Sequence, residues 1–190
     1  MSRPVLQFDP QILLKAQGEN ATGLRIAFFD IDGVLTDGGL CYTAAGEEIK
    51  TFNVQDGFGL KLLREAGIEP VIITGRDSAP LRTRLASLDI HYAYYAVKDK
   101  LKVALKVLEA FETDWDAVAA IGDDWPDLPL LNRAVFSVAP ANAHAEVKSI
   151  VDYITQAQGG HGAAREFCDI LLMASSAYDN LYQKWLSAEE

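Results

Sequence analysis

The stretch Arg25–Gly39, RIAFFDIDGVLTDGG, sets three aspartates, Asp30, Asp32 and Asp37, directly behind a run of apolar residues. Like charges so close together repel one another, and Gly33, Gly38 and Gly39 loosen the backbone around them. Stability alone gives little reason for such a cluster. The apolar run Leu24–Phe29 reads as a buried strand, so the carboxylates gather where that strand ends.

Working outward, further short apolar runs read as strands: Val71–Ile73, Ala117–Ile121 and Val135–Val138, with another apolar strand after His91. Between them, GFGLKLLREAG, SAPLRTRLASL and KDKLKVALKVLEAF carry apolar residues at helical spacing. Gly67 stands where the first of these helices ends. Alternation at this interval predicts an α/β fold, a Rossmann-like three-layer sandwich with a central parallel sheet and helices on both faces. Two segments interrupt the rhythm. Residues 38–54, GLCYTAAGEEIKTFNV with the preceding glycine, read as a β-hairpin inserted after the first strand. Residues 156–190 read as a Gly-rich loop leading into one long helix. Residues 1–22 read as a short helix or loose arm, leaving 23–190 as a single domain.

In an open parallel sheet, ligands bind at the carboxyl ends of the strands. The strands here end in Asp30-Ile31-Asp32, Thr74-Gly75-Arg76 and Gly122-Asp123-Asp124. Carboxylates from two strand ends make a hard oxygen cage that suits Mg²⁺ better than zinc or copper. With a metal and a lysine to offset the repulsion, an Asp can attack phosphorus and form an aspartyl-phosphate. Lys100, opening the third helix, supplies the cation. Asp32 is placed to protonate the leaving oxygen and then deprotonate water. Thr74 offers a hydroxyl and an N–H to phosphoryl oxygens.

Composition narrows the partners. The 190 residues hold 27 acidic and 17 basic side chains, a formal charge of −10. That balance argues against nucleic acid, whose affinity comes from Lys and Arg. An anionic substrate must then meet local positive charge. No apolar run approaches the roughly 20 residues of a membrane span. Cys41 and Cys168 form no CxxC pair and fit reduced thiols in a cytoplasmic protein, with Cys168 in the core. Trp115 and Trp185 read as packing residues; Trp125 reads equally as a wall of the site or as core. His91 reads as structural, and His161, within the Gly-rich loop, reads equally as near substrate or not.

DIDGVLTD, ITGR, KDK and GDDWPD, in that order, resemble the four motifs of the haloacid dehalogenase-like phosphohydrolases. The resemblance implies that Asp30 is the nucleophile, Asp32 the general acid/base, and Lys100 the steadying cation. It implies phosphate binding by Thr74, Gly75 and Arg76, and Mg²⁺ held by Asp30, Asp123 and the Asp32 carbonyl. Asp127 and Asp124 would order the water around the metal. DGVLTDGGLCY, KTFNVQDGFGLKLL, ITGR and GGHGAARE further resemble the 3-deoxy-D-manno-octulosonate 8-phosphate (KDO 8-phosphate) phosphatases, a capless family serving lipopolysaccharide synthesis. That likeness implies a homotetramer with shared active sites, in which hairpins meet at the centre and tails cover neighbouring sites. Leu40, Tyr42, Ile49 and Phe52 would then pack between copies, and Arg165 would bring charge to a substrate. YYAVKDK departs from the pattern in having Ala96 where Gly is expected. A phosphatase for nine-carbon, sialate-type sugar-acid 9-phosphates and a non-catalytic binding descendant are the competing readings. Arg76 favours the first reading over the sialate type, and the intact Asp30, Asp32, Lys100 and Asp123 disfavour the non-catalytic one.

Overall fold

Alternate residues of the strand behind the aspartates pack on opposite faces, as the two-residue period of a strand requires. The computed structural model describes residues 5–18, 23–46 and 48–187. In it, Ala27 and Phe29 of β1 (Ile26–Phe29) join one apolar core, and Ile26 and Phe28 join a second. Burial on both faces is why this strand reads as an unbroken apolar run rather than an alternating one.

The other sheet strands are β4 (Glu69–Ile73), β5 (Tyr92–Tyr94), β6 (Val118–Ile121), β7 (Phe136–Ala139) and β8 (Tyr153–Ile154). All pair in parallel, in the order β5-β4-β1-β6-β7-β8. The first core is covered by α1 (Pro10–Gln17), α2 (Val54–Glu65), α3 (Ala79–Ser87) and α7 (Ala163–Ala174). The second is covered by α4 (Lys100–Ala110), α5 (Leu128–Leu131) and α6 (Ala145–Lys148). The three-layer sandwich is therefore as expected. The chain runs from β1 outward to β4 and β5, then returns to β6 on the other side of β1. The sheet's switch point thus lies beside the end of β1, where ligands collect in such folds.

The hairpin is present but short: β2 (Cys41–Tyr42) and β3 (Glu48–Ile49) form a separate antiparallel ribbon. Phe52 packs against the first core of its own chain rather than lying free with Leu40, Tyr42 and Ile49. Of the N-terminal segment, residues 10–17 are helical, with Asp9 accepting from the Gln11 N–H at 2.9 Å. Phe8, Ile12, Leu13 and the buried Ala16 seat this helix on the first core; residues 1–4 and 19–22 lie outside the described residues.

The expected single long C-terminal helix is two. After α7 the Ser176 N–H donates to Met173 O at 3.0 Å and the Ala177 N–H to Leu172 O at 2.9 Å, with Ser176 left-handed at φ 60°. This pair of reversed bonds is a Schellman ending built on Ser instead of Gly, so no glycine marked it. A second helix, α8 (Tyr178–Leu186), follows.

The start of α7 depends on a distant residue. Gly162 caps it without a side chain. Asp56, fully buried in α2, takes over by accepting from Gly162 N–H at 3.3 Å and Arg165 N–H at 2.8 Å. Burial raises the Asp56 pKa, and the two N–H bonds pull it back. Asp56→Ala leaves both donors unpaired and should cost about 1–3 kcal/mol, read as a lower urea midpoint. An unchanged midpoint would show that α7 does not need this cap.

Candidate active site

Asp30 continues the sheet by donating its N–H to Ile121 O at 3.2 Å, which fixes it between β1 and β6. The chain then folds into a tight turn in which the N–H groups of Val34, Leu35 and Thr36 all donate to Ile31 O. Gly33 sits in this turn at φ 97°, and a Cβ there would lie 2.0 Å from Asp123 Oδ2. Only glycine admits the carboxylate from β6 so close to the catalytic turn. One oxygen each of Asp30, Asp123 and Asp127 consequently falls within 4.8 Å of the others.

Lys100 holds this group together. As the first residue of α4, its side chain is 5% exposed, and its ammonium ion-pairs with Asp30 and with Asp127 at 2.6 Å. Asp127 in turn accepts from the N–H groups of Asp123 (3.2 Å) and Asp124 (3.4 Å). Asp124 caps the short 3₁₀ turn Trp125–Asp127, accepting from Trp125 N–H at 2.8 Å. Thr74 is buried at the end of β4, with its backbone N–H bonded to Tyr94 O and its hydroxyl accepting from Arg76 N–H at 3.2 Å. Ala96 adopts the left-handed conformation (φ 50°) that a glycine would take without strain, at a cost of about 1 kcal/mol. The loop therefore keeps its shape despite the substitution, with Ala96 N–H donating to Arg76 O at 3.3 Å.

The electrostatics call for a cation. Burial, and then the charge of Asp127, push Asp30 up to about 7, against the opposing pull of Lys100. Burial, followed by Asp30, Asp127 and Asp124, pushes Asp123 up to about 8. Burial pulls Lys100 down, but Asp30 and Asp127 outweigh it and its pKa is raised. Three carboxylates crowd one ammonium in this buried cluster, and a bound cation would let all three ionise. An all-oxygen donor set fits a hard divalent ion. The Asp32 carboxylate is not part of the cluster; it points instead to a lysine of the hairpin.

That lysine, Lys50, escaped the reading of the sequence, as did Lys98 in the site wall. Lys50 ion-pairs with Asp32, and with Glu48 at 3.0 Å, with its side chain 1% exposed. Glu48 and Lys50 are two apart in the sequence of the hairpin, the one available signal. Asp30, Asp32, Thr74, Gly75, Arg76, Lys100, Asp123, Asp124 and Asp127 all line one cleft. Arg165 does not. Its Nε donates to Asp169 at 2.9 Å and its guanidinium lies over Phe58, on the α2–α7 face.

The Gly-rich loop packs on its own chain. Gly160 N–H donates to Val34 O at 2.9 Å, and a Cβ on Gly159 would meet Gly33 O at 1.8 Å. The loop is wedged against the catalytic turn of its own chain. His161 lines a groove with Gln55 and Arg165 instead of this cleft. Trp125 is 59% exposed, donating Nε1–H to His144 at 3.3 Å, so it is not core. Trp185 is also half-exposed, edge-on to Phe58, whereas Trp115 packs near Phe28 as expected. His91 is exposed beside Asp89 and Arg64.

A carboxylate clamped by lysine, beside an oxygen cage and a threonine at the next strand end, is suited to phosphoryl-group chemistry. Comparison with known proteins agrees. Residues 96–167 match the family model described as haloacid dehalogenase-like hydrolase. The 3-deoxy-D-manno-octulosonate 8-phosphate phosphatase of Salmonella typhimurium is 38% identical over 171 residues, 90% of this chain and 88% of the relative. The Moraxella catarrhalis phosphatase of the same name, in a crystal structure with magnesium ion, phosphate ion and KDO, is 35% identical with a TM-score of 0.86. That match covers 92% of this chain and 98% of the other. The cobalt-bound deoxy-D-mannose-octulosonate 8-phosphate phosphatase from Haemophilus influenzae is 36% identical, with a TM-score of 0.81 and coverage of 92% and 99%. The chain belongs to the haloacid dehalogenase-like hydrolases, and among them to the 3-deoxy-D-manno-octulosonate 8-phosphate phosphatase family.

The raised carboxylates give a metal test. A group whose folded pKa is raised contributes stability that is lost as pH rises from its unfolded value, 3.8, through 7 for Asp30 and 8 for Asp123. Mg²⁺ competes with those protons, so its stabilising shift in Tm should be larger at about pH 8.5 than at about pH 5.5. Equal shifts at both, or none, would contradict a metal bound by these carboxylates.

Proposed function

We propose that this chain is a Mg²⁺-dependent phosphatase that converts KDO 8-phosphate to KDO and inorganic phosphate through an aspartyl-phosphate on Asp30. The observation that carries the proposal is the buried Lys100 pairing Asp30 beside Asp123, at the sheet's switch point. The relatives' activity and the Moraxella catarrhalis complex supply the substrate.

Lys100 orients Asp30 and opposes the rise of its pKa, so that in the ionised form one carboxylate oxygen attacks phosphorus. The Thr74 oxygen accepts from Arg76 N–H, which leaves its hydroxyl hydrogen available to donate. With the N–H of Gly75, it can meet the phosphoryl oxygens. Asp32 gives a proton to the departing sugar oxygen, then takes one from the water that attacks the phosphoaspartate. Asp30, Asp123 and the Asp32 carbonyl would hold Mg²⁺, with Asp127 and Asp124 ordering its water. Bound there, the ion screens the repulsion between carboxylate and phosphate and polarises a phosphoryl oxygen. Arg76 and Lys98 offer the cleft's outer positive charge to an acidic sugar.

The site belongs to a cytoplasmic enzyme supplying lipopolysaccharide synthesis and working as a homotetramer with shared sites. Among the described residues no helix is long and apolar enough to cross a membrane. Leu40 (50%), Tyr42 (53%) and Ile49 (51%) lie exposed on a ribbon too small to bury them, which supports hairpins pairing between copies. A neighbour's tail then covers each cleft, and Arg165 reaches substrate across that boundary.

Phosphate release from a panel of sugar-acid phosphates, with Mg²⁺ and with EDTA, tests the reading. KDO 8-phosphate should be cleaved fastest and only with metal; preference for a nine-carbon 9-phosphate would reassign the substrate. Asp30→Asn should abolish turnover with the fold intact, and near-wild-type turnover would rule out the covalent route. Leu40→Glu with Ile49→Glu should reduce the sedimenting mass and activity together. A fully active wild-type monomer would sink the shared site.

A further inference from the structure

Lys50, the one cation of the hairpin, reaches Asp32 of the catalytic cleft, and nothing in the proposed chemistry yet uses it. A lysine just beyond a two-residue strand of a small ribbon ordinarily extends into water, since its hydration and rotamer freedom are lost on burial. Here the side chain is 1% exposed. Two anions hold it, Glu48 at 3.0 Å and Asp32.

The contact is confined to one oxygen of Asp32. Lys50 Nζ donates to Oδ1, and the Thr36 hydroxyl donates to the same oxygen at 3.4 Å. Oδ2 is buried without a hydrogen-bond partner, and Arg76 Nε lies 3.9 Å from it. Such an orphaned oxygen is costly unless something uses it. Glu48, held ionised by Lys50 above all and by Arg76 more weakly, completes an alternation of two cations and two anions. The alternation holds the plane of the Asp32 carboxylate, because tilting it away would lengthen the Lys50 contact.

We propose that Lys50 is a positioning residue for Asp32, holding its carboxylate in the orientation from which it exchanges the proton with the sugar oxygen and with water. This rests on the phosphatase reading of the cleft. The hairpin then has a part in the chemistry of its own chain, apart from any role between copies. Lys50 itself neither gives nor takes the proton; it fixes the carboxylate that does.

The test is a double-mutant cycle with Lys50→Met, Asp32→Asn and the pair, on KDO 8-phosphate with saturating Mg²⁺. Misplacing a reacting group by an ångström can cost about 10²-fold. Lys50→Met should therefore lower kcat by about 10- to 100-fold with KM changed by less than about twofold, and Lys50→Arg should recover part of the loss. In the Asp32→Asn background, Lys50→Met should cause no further loss, because there is no acid left to position. An unchanged kcat in Lys50→Met overturns the proposal. So does an equal fractional loss in both backgrounds, which would mean a general structural effect. Sedimentation and circular dichroism of each variant separate misfolding from misplacement, and if Lys50→Met fails to fold, the same cycle with Lys50→Arg decides. Wild-type protein that releases no phosphate would instead sink the phosphatase reading, so the two failures are distinguishable.

Discussion

Three carboxylates and one ammonium share a buried volume where β1 and β6 end side by side. Much of the nearby backbone can be read as a response to that crowding. The turn after Asp30 needs Gly33 because Asp123 comes within 2.0 Å of where a Cβ would be. Gly122 is needed because a Cβ there would lie 2.4 Å from Asp127 Cβ. Asp127 is turned toward Lys100 by the N–H groups of Asp123 and Asp124. A fold selected for stability alone would spread these charges apart. Their retention in one place is the usual trade of stability for a prepared reactive site.

The two segments that break the strand–helix rhythm both turn inward to this site. The hairpin sends Lys50 to Asp32, and Arg76 joins it through Tyr42, whose hydroxyl accepts at 2.9 Å. The tail presses Gly159 and Gly160 against the catalytic turn, and Asp56 ties the start of α7 to α2. Glu166 fastens the approach to that loop, accepting from Tyr153, Gln156 and Ala157. The catalytic turn is thus held by both segments of its own chain.

What the sequence revealed was whatever local pattern encodes. β1, β4, β6 and β7 were legible because strands buried on both faces are continuous apolar runs, and the polar groups that follow them fall together automatically in a parallel sheet. Lys100 was legible because it opens a strongly patterned helix. Lys50 was not, since a lysine on a hairpin looks the same whether it ends in solvent or on a carboxylate eighteen residues earlier. The helix break at Ser176 was hidden because a serine occupies the left-handed position where glycine is the usual signal. Asp56 resembled an ordinary first-turn acid of α2. Arg165 was expected near substrate, but its partners within the chain are Asp169 and Phe58.

Asp30 as the attacking group is the claim from which the rest of the chemistry follows. Acid quench within one turnover of KDO 8-phosphate and Mg²⁺, then borohydride reduction and peptide mass spectrometry, reads it directly. Reduction of a phosphorylated carboxyl yields an alcohol, so homoserine is expected at position 30, at a level tracking the phosphate still to be released. Undisturbed Asp30 throughout a turnover that releases phosphate would contradict it.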